Sequence, residues 1–219
     1  MLNLNFFLEV FLKTSSSFFI VGGLPRDYIL FLKSQNLHPR ILSNSLFQID
    51  FIDFAHFLEE KKNYDIDIST NLTPKQVANI LDANFPNAKR IRNFATNSIS
   101  FQNAKIDITS TRIDYNCDGK NAKMKLGASI FRDSHRRDFT FNALYLDANG
   151  NIFDFHNGIR DAIDGRIRFI GDAKTRIYED FTRIRRYQNF CERFQMNNEE
   201  IDKTIDYIIK NSKTPIIMR

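Results

Sequence analysis

The stretch Tyr64 to Thr70 alternates strictly, and its centre reads Asp65, Ile66, Asp67, Ile68. In a strand, residues two apart share a face, so Asp65 and Asp67 project together while Ile66 and Ile68 point into a core. A second alternating run, Lys105 to Thr109, repeats the arrangement with Asp107 between two isoleucines. Three carboxylates on one sheet face repel one another unless cations sit between them. Oxygen-only ligation by Asp65, Asp67 and Asp107 suits Mg²⁺ or Mn²⁺ rather than zinc. Two such ions would clamp the attacking and leaving oxygens of a phosphoryl displacement. Alternating Asp and Ile is equally the pattern of a solvated antiparallel sheet face, so the acids gain meaning only from what accompanies them.

Three companions accompany them. Gly22 and Gly23 follow the apolar run Phe18 to Val21 and precede Arg26, with Pro25 at a first helical position. Glycines at a strand-to-helix turn let backbone N–H groups approach a phosphate, and an arginine there can fork onto its oxygens. The plain alternative is a tight turn with an exposed arginine. In the second companion, Arg136, Arg137, Asp138 and Asn142 fall within one short segment and could hold ribose hydroxyls and a triphosphate. Otherwise Asp138 caps a helix and the arginines are solvated; His135 beside them reads as a surface side chain. The third is Glu179 to Arg186, where Asp180, Arg183 and Arg186 recur every third residue along one expected helical face. As a surface ion pair this row is worth only ~0.2–0.5 kcal/mol. As a base reader it says more. Cytosine and adenine both show an amino donor beside a ring-nitrogen acceptor, which a carboxylate next to a guanidinium matches. Guanine and uracil reverse that polarity and leave two buried groups unpaired, at about 1–3 kcal/mol each.

The elements that must position these residues follow from pattern and composition. With 219 residues, 42% of them hydrophobic, and a net charge of +5, the chain can bury one compact core with a smaller appendage. It is not a disordered chain. Its weak basicity admits a polyanionic partner, although Lys and Arg alternate with acids and no like-charge block stands out. Cys117 and Cys191 lie far apart, without a disulfide framework or zinc spacing, which fits a reducing, cytoplasmic setting. The apolar start, Met1 to Lys13, is short and broken by Asn3, Asn5 and Glu9; no stretch approaches the ~20 residues of a membrane span.

Along the chain the reading is strand and glycine turn at 18–23, then a helix through Tyr28, Ile29 and Leu32. Residues 33–63 read as an insertion or elaborated loop in which 51–62 could be helical. Thr73-Pro74 opens a helix to about Leu81. Ser98–Phe101 pairs with Ile106–Thr109, and Asp114 to Ala128 forms a mobile loop. Leu144–Leu146 and Ile152–Phe155 form a hairpin about Asn149-Gly150. Helices cover 172–178, 179–194 and 199–210. Strands first and helices last give an α+β architecture.

The ordered segments 21–27, 64–77, 105–112, 136–162, 167–172 and 179–186 resemble the head and neck of class II tRNA nucleotidyltransferases, the CCA-adding enzymes, and the related bacterial poly(A) polymerases. The resemblance runs over about residues 18 to 194. It implies a polymerase β-like nucleotidyltransferase head with a mixed, mainly antiparallel sheet at 1–162 and a helical neck at 163–219. Asp65 and Asp67 match the family's metal-binding pair, and Asp107 stands where a third carboxylate lies. Gly22, Gly23 and Arg26 match the triphosphate turn. Arg136, Arg137 and Asp138, with Asn142, match the segment contacting ribose and phosphates. Asp180 and Arg183 match the pair that selects the incoming base, with Arg186 nearby. Asp154, Gly158 and Asp161 match the joint between head and neck, and the 114–128 loop a flexible segment; both are implicated in the switch from C to A. The implied partners are tRNA, CTP and ATP, with two Mg²⁺ ions as cofactors. The implied reaction is template-independent CCA addition. Poly(A) polymerase, a CC-only or A-only enzyme, and an inert nucleotide- or RNA-binding remnant are the alternatives. The neck is barely complete at Arg219, so either a second chain supplies the tRNA-gripping body and tail, or the chain binds nucleotide and extends tRNA poorly.

Overall fold

The computed structural model describes residues 10, 18–50, 53–54, 57–58, 64–86, 88–93, 95–101, 104–115, 123–195 and 198–211. Its strands are β1 (Phe18–Val21), β2 (Arg40–Ser43), β3 (Leu46–Gln48), β4 (Tyr64–Thr70), β5 (Lys89–Arg92), β6 (Thr96–Phe101), β7 (Ala104–Ser110), β8 (Arg112–Tyr115), β9 (Lys123–Leu126), β10 (Leu144–Leu146) and β11 (Asn151–Asp154). Its helices are α1 (Gly23–Ser34), α2 (Pro74–Asn84), α3 (Ile130–Ser134), α4 (Gly158–Asp164), α5 (Ala173–Glu179), α6 (Thr182–Phe194) and α7 (Glu199–Asn211).

Among the described residues, nine strands form one sheet in the order β2-β3-β11-β10-β1-β4-β7-β6-β5, and β8 and β9 form a separate ribbon. Every pairing in the large sheet is antiparallel except β4 with β7. A parallel pair cannot be closed by a tight turn. Here the crossover carries α2, β5 and β6, so β7 returns beside β4 in the same direction. The architecture is thus α+β with a mixed, mainly antiparallel sheet.

The isoleucines of β4 and β7 explain why this pair lies at the centre. Ile66, Ile68, Ile106 and Ile108 are all buried, in one cluster with Ile99, with Leu24, Tyr28, Ile29 and Leu32 of α1, and with Val77 and Leu81 of α2. Burying a side chain of this size contributes about 1.5–3 kcal/mol. Slipping either strand by one residue would drive aspartates into that cluster, so the register is fixed. The capping box that starts α2 is complete: Gln76 N–H donates to Thr73 Oγ1, and Thr73 N–H donates to Gln76 Oε1.

Several elements differ from the sequence reading. Within 33–63, β2 and β3 form a hairpin that widens the sheet beyond β11, and Phe54, Phe57 and Leu58 are buried. Tyr28 holds Phe54 and Phe57 edge-on, with ring centroids 5.1 and 5.2 Å away. The segment therefore adds core; 51–52, 55–56 and 59–63 lie outside the described residues. The expected 114–128 loop contains β-structure, with Asp114 registered opposite Met124, while 116–122 lie outside the described residues. The turn at 102–103 also lies outside them. The helix expected from 179 starts only at Thr182, because Asp180 is extended and its Oδ1 accepts the Thr182 N–H. The numerous phenylalanines acquire a structural role: Phe139, Phe141 and Phe169 meet Phe190 and Phe194 of α6 in one aromatic cluster.

Gly158 opens α4 where the backbone passes Thr140. A Cβ there would stand 2.2 Å from the Thr140 carbonyl oxygen, a backbone atom that cannot swing away. Gly158→Ala is expected to cost about 3 kcal/mol, at the upper end of overpacking effects, measured by urea unfolding. A loss within experimental error would show that the close approach is not obligatory.

Candidate active site

The parallel register pairs Asp67 with Asp107 and Asp65 with Lys105, so all four side chains lie on the face opposite the isoleucine core. On the other side of β4, Val21 is registered with Asp67 and leads into Gly22. Gly22 has φ +82°, and a Cβ on it would stand 3.2 Å from Asp67 Oδ2. Both the left-handed backbone and the nearby carboxylate therefore favour glycine. Helix α1 begins at Gly23, which sets its positive N-terminal end beside the acid.

The Asp67 carboxyl is held above the usual carboxylate range. Desolvation contributes most, Arg137 opposes it, and the negative charges of Asp65 and Asp107 push the same way as burial. As a residue Asp67 remains open to solvent, so water screens these charges. Asp107 accepts from Lys105 Nζ at 2.6 Å through Oδ2, whereas its Oδ1 is buried without a hydrogen-bond partner.

Among the described residues, no three His, Cys, Asp or Glu side chains are gathered closely enough to hold a metal ion. The Lys105 ammonium neutralises Asp107 in this arrangement. The donor chemistry nevertheless fits a hard divalent cation. The acids offer oxygen donors in adjacent registers, they repel one another, and one buried oxygen lacks a partner.

Arg136 and Arg137 are directed differently from the expectation. Arg137 donates from Nε to the Tyr145 hydroxyl at 2.8 Å and from Nη2 to Ser69 Oγ at 2.9 Å, with its guanidinium 5.0 Å from the Tyr145 ring centre. Arg136 Nε donates to Asp133 Oδ1 at 2.8 Å. Asp133, fully buried on α3, also accepts the Arg112 N–H and the Tyr145 hydroxyl. The paired arginines are thus tied inward to an acid that the sequence reading missed. Its signal was present: Asp133 stands three and four residues before the two arginines. Burial alone would raise the Asp133 carboxyl, but Arg136 and Arg137 with the Arg112 N–H outweigh it and hold it below the usual range.

Arg26, expected at a triphosphate turn, makes protein contacts through all three guanidinium nitrogens. It is buried; Nε and Nη2 donate to Asp27 Oδ1, and Nη1 donates to Asn142 Oδ1 at 2.7 Å. The rings of Phe190, Phe194 and Phe141 lie 5.0, 5.8 and 6.0 Å from its guanidinium carbon. Arg193 reaches Asp27 as well, so this network fastens α6 to α1. Asp138 is buried: Oδ1 accepts from Asn142 Nδ2, and Oδ2 lies 3.4 Å from Arg186 Nη1 without a hydrogen bond.

Asp180 and Arg183 do not pair with each other. Asp180 Oδ2 lies 3.5 Å from Arg186 Nη2. Arg183 Nη1 donates to the Arg176 carbonyl and to Glu179 Oε2, and Nη2 donates to the Arg136 carbonyl. Its buried Nε alone lacks a partner. Glu179, which also pairs with Arg176, was overlooked in the sequence. Asp154 holds the start of α4 by accepting the Gly158 and Ile159 N–H groups, and Asp161 accepts from the Thr140 hydroxyl and Arg168.

Two stability predictions follow from opposite signs. A carboxyl lowered in the fold stabilises above its unfolded value, near pH 4, and loses that contribution as pH falls through the folded value. Asp133→Asn should therefore lose about 3–5 kcal/mol at pH 7, and progressively less on acidification; a pH-independent loss in urea titrations would contradict this. Asp67 is raised, so its ionised form costs stability at neutral pH. Asp67→Asn should raise the thermal midpoint at pH 7, an advantage that shrinks once acid protonates the wild-type carboxyl; a lowered midpoint would contradict it.

Comparisons with known proteins bear on the family and the fold. The family described as "Poly A polymerase head domain" matches residues 56–168. The human mitochondrial CCA tRNA nucleotidyltransferase 1 is 29% identical over 210 residues, covering 94% of this chain and 41% of that protein. A CCA-adding enzyme of Staphylococcus epidermidis is 30% identical over 149 residues, covering 66% of this chain and 36% of that protein. The chain thus spans about two fifths of the length of these relatives. An apo CCA-adding enzyme structure superposes with a TM-score of 0.67 at 24% identity, covering 94% of this chain and 44% of the other. A Bacillus stearothermophilus CCA-adding enzyme in complex with CTP gives 0.55 at 24% identity, covering 81% and 35%. At that identity the superpositions speak for a shared fold. Since the family match spans more than half of the 219 residues and contains both Asp-bearing strands, the chain belongs to the poly A polymerase head domain family.

Proposed function

We propose that this chain is the nucleotidyltransferase head of a tRNA CCA-adding enzyme, transferring CMP from CTP and AMP from ATP to the 3′ end of tRNA with release of pyrophosphate. The observation that carries the reading is the in-register placement of Asp67 beside Asp107, with Asp65 on the same face and the Gly22 turn at the edge. In the reaction the 3′-hydroxyl oxygen bonds to the α-phosphorus while the bond from that phosphorus to the bridging oxygen breaks. The proton lost by the hydroxyl goes to a carboxylate of this face. Asp65, Asp67 and Asp107 are the residues that would hold Mg²⁺, which supplies charge neutralisation for the attacking and leaving oxygens.

The N-terminus of α1, reached through Gly22 and Gly23, favours the negative charge of the departing pyrophosphate. Arg26 acts behind that turn by fastening it to Asp27 and Asn142. Arg137, whose charge reaches Asp67, and Arg136 add positive charge behind this face, held by Asp133. Base choice falls to Asp180 and Arg183, where the Arg183 Nε still lacks an acceptor. Arg186 bridges Asp180 and Asp138, which ties the base-reading side to the ribose side.

The test offers tRNAs ending before, within and after CCA, with each of the four nucleotides and Mg²⁺. The expected outcome is incorporation of C and A alone, in an order set by the tRNA end, and loss of transfer in Asp67→Ala. Repeated AMP addition regardless of the tRNA end would instead select poly(A) synthesis. Wild-type transfer by Asp67→Ala would refute the enzymatic reading. Thermal unfolding gives an independent readout: CTP or ATP with Mg²⁺ at a hundredfold excess over Kd should stabilise the chain by about 2.7 kcal/mol. Equal shifts with GTP and UTP would remove Asp180 and Arg183 from base selection.

A further inference from the structure

Among the described residues, Lys105 is the cation registered on the same strands as these acids, and the proposed chemistry has not used it. Lys105 is registered opposite Asp65, two residues before Asp107 on the same strand, and its ammonium lies 2.6 Å from Asp107 Oδ2. The next strand offers no competing acid: Ser98 and Ser100 of β6 are registered with Asp107 and Lys105. The lysine side chain is 51% exposed, so it is anchored only at its tip and can leave without disturbing the core. The other Asp107 oxygen is buried without a partner, and the three acids are not gathered around a common point.

We propose that Lys105 is a resident counter-cation of the acid cluster, which a divalent ion must displace from Asp107, so that this lysine sets the affinity of the site for metal. The inference rests on the reading of Asp65, Asp67 and Asp107 as metal ligands. A univalent ammonium beside Asp107 offsets part of the repulsion among the three acids while the site awaits substrate. It also repels an arriving dication and occupies one of its ligand oxygens. Half-exposed pairs of this kind are weak, so the lysine tunes metal binding without blocking it. Displaced, the ammonium stays at the rim of the same face, on the side floored by Ser98 and Ser100.

The experiment is a Mn²⁺ titration of the whole chain without nucleotide, reading the loss of the free-ion electron paramagnetic resonance signal. Lys105→Met keeps the length and removes the charge, and should tighten Mn²⁺ binding by about two- to fivefold, the scale of an exposed ion pair. Lys105→Arg keeps the charge and should bind Mn²⁺ within about twofold of the wild type, which separates charge from packing. Adding Asp67→Asn to Lys105→Met should abolish the gain. Unchanged or weaker binding in Lys105→Met, where Asp67→Asn still weakens binding in the wild-type background, would overturn the role of Lys105 alone. Binding indifferent to Asp67→Asn in both backgrounds would overturn the metal-ligand reading and this inference together.

Discussion

Mutual repulsion among Asp65, Asp67 and Asp107 is the constraint around which this fold is arranged. The sheet sets Asp67 and Asp107 side by side because four buried isoleucines on the opposite face lock β4 and β7 in register. Hydrophobic burial thus holds together carboxylates that would otherwise move apart. Desolvation first, and then the charges of Asp65 and Asp107, raise the Asp67 carboxyl, and Asp107 takes Lys105 as a partner. A site of this kind trades stability for affinity toward positive charge.

Around that stress lies a shell of arginines whose positions are fixed from behind. Arg137 is clamped by Tyr145, Ser69 and Asp133, and Arg26 by Asp27, Asn142 and three phenylalanines. Arg183 is tied to two main-chain carbonyls and to Glu179. A charged group held this way pays its ordering entropy on folding rather than on substrate arrival, which is how a preorganised electrostatic site is built. The same links join the sheet to the later helices: Arg176 and Arg183 both donate to the Arg136 carbonyl, and α6 packs its phenylalanines over Arg26. Rearrangement of α6 would therefore be felt at the Gly22 turn.

Much of this was legible in the chain itself, wherever one face of an element is apolar. Period-two alternation located β4 and β7, Thr73-Pro74 located the start of α2, and Asn149-Gly150 located the β10–β11 hairpin. What escaped were contacts that depend on distant packing. Arginines at 26, 136, 137 and 183 carry the same charge whether they face substrate or a buried acid, and only the fold reveals Asp133, Glu179 and Asn142 as their partners. The break at Asp180 escaped because its carboxylate caps Thr182 locally, a choice that helical periodicity does not register. Residues 33–63 looked irregular because β2 is an exposed edge strand without alternation.

The central claim, that the shared face of β4 and β7 is a divalent-metal site for nucleotidyl transfer, is tested most directly by crystallography with Mn²⁺ and a non-hydrolysable CTP analogue. The account predicts anomalous density bonded to oxygens of Asp65 and Asp67, with Asp107 released from Lys105 and the triphosphate at the Gly22-Gly23 turn. Manganese bound elsewhere, with the Lys105–Asp107 pair intact beneath an ordered nucleotide, would contradict it.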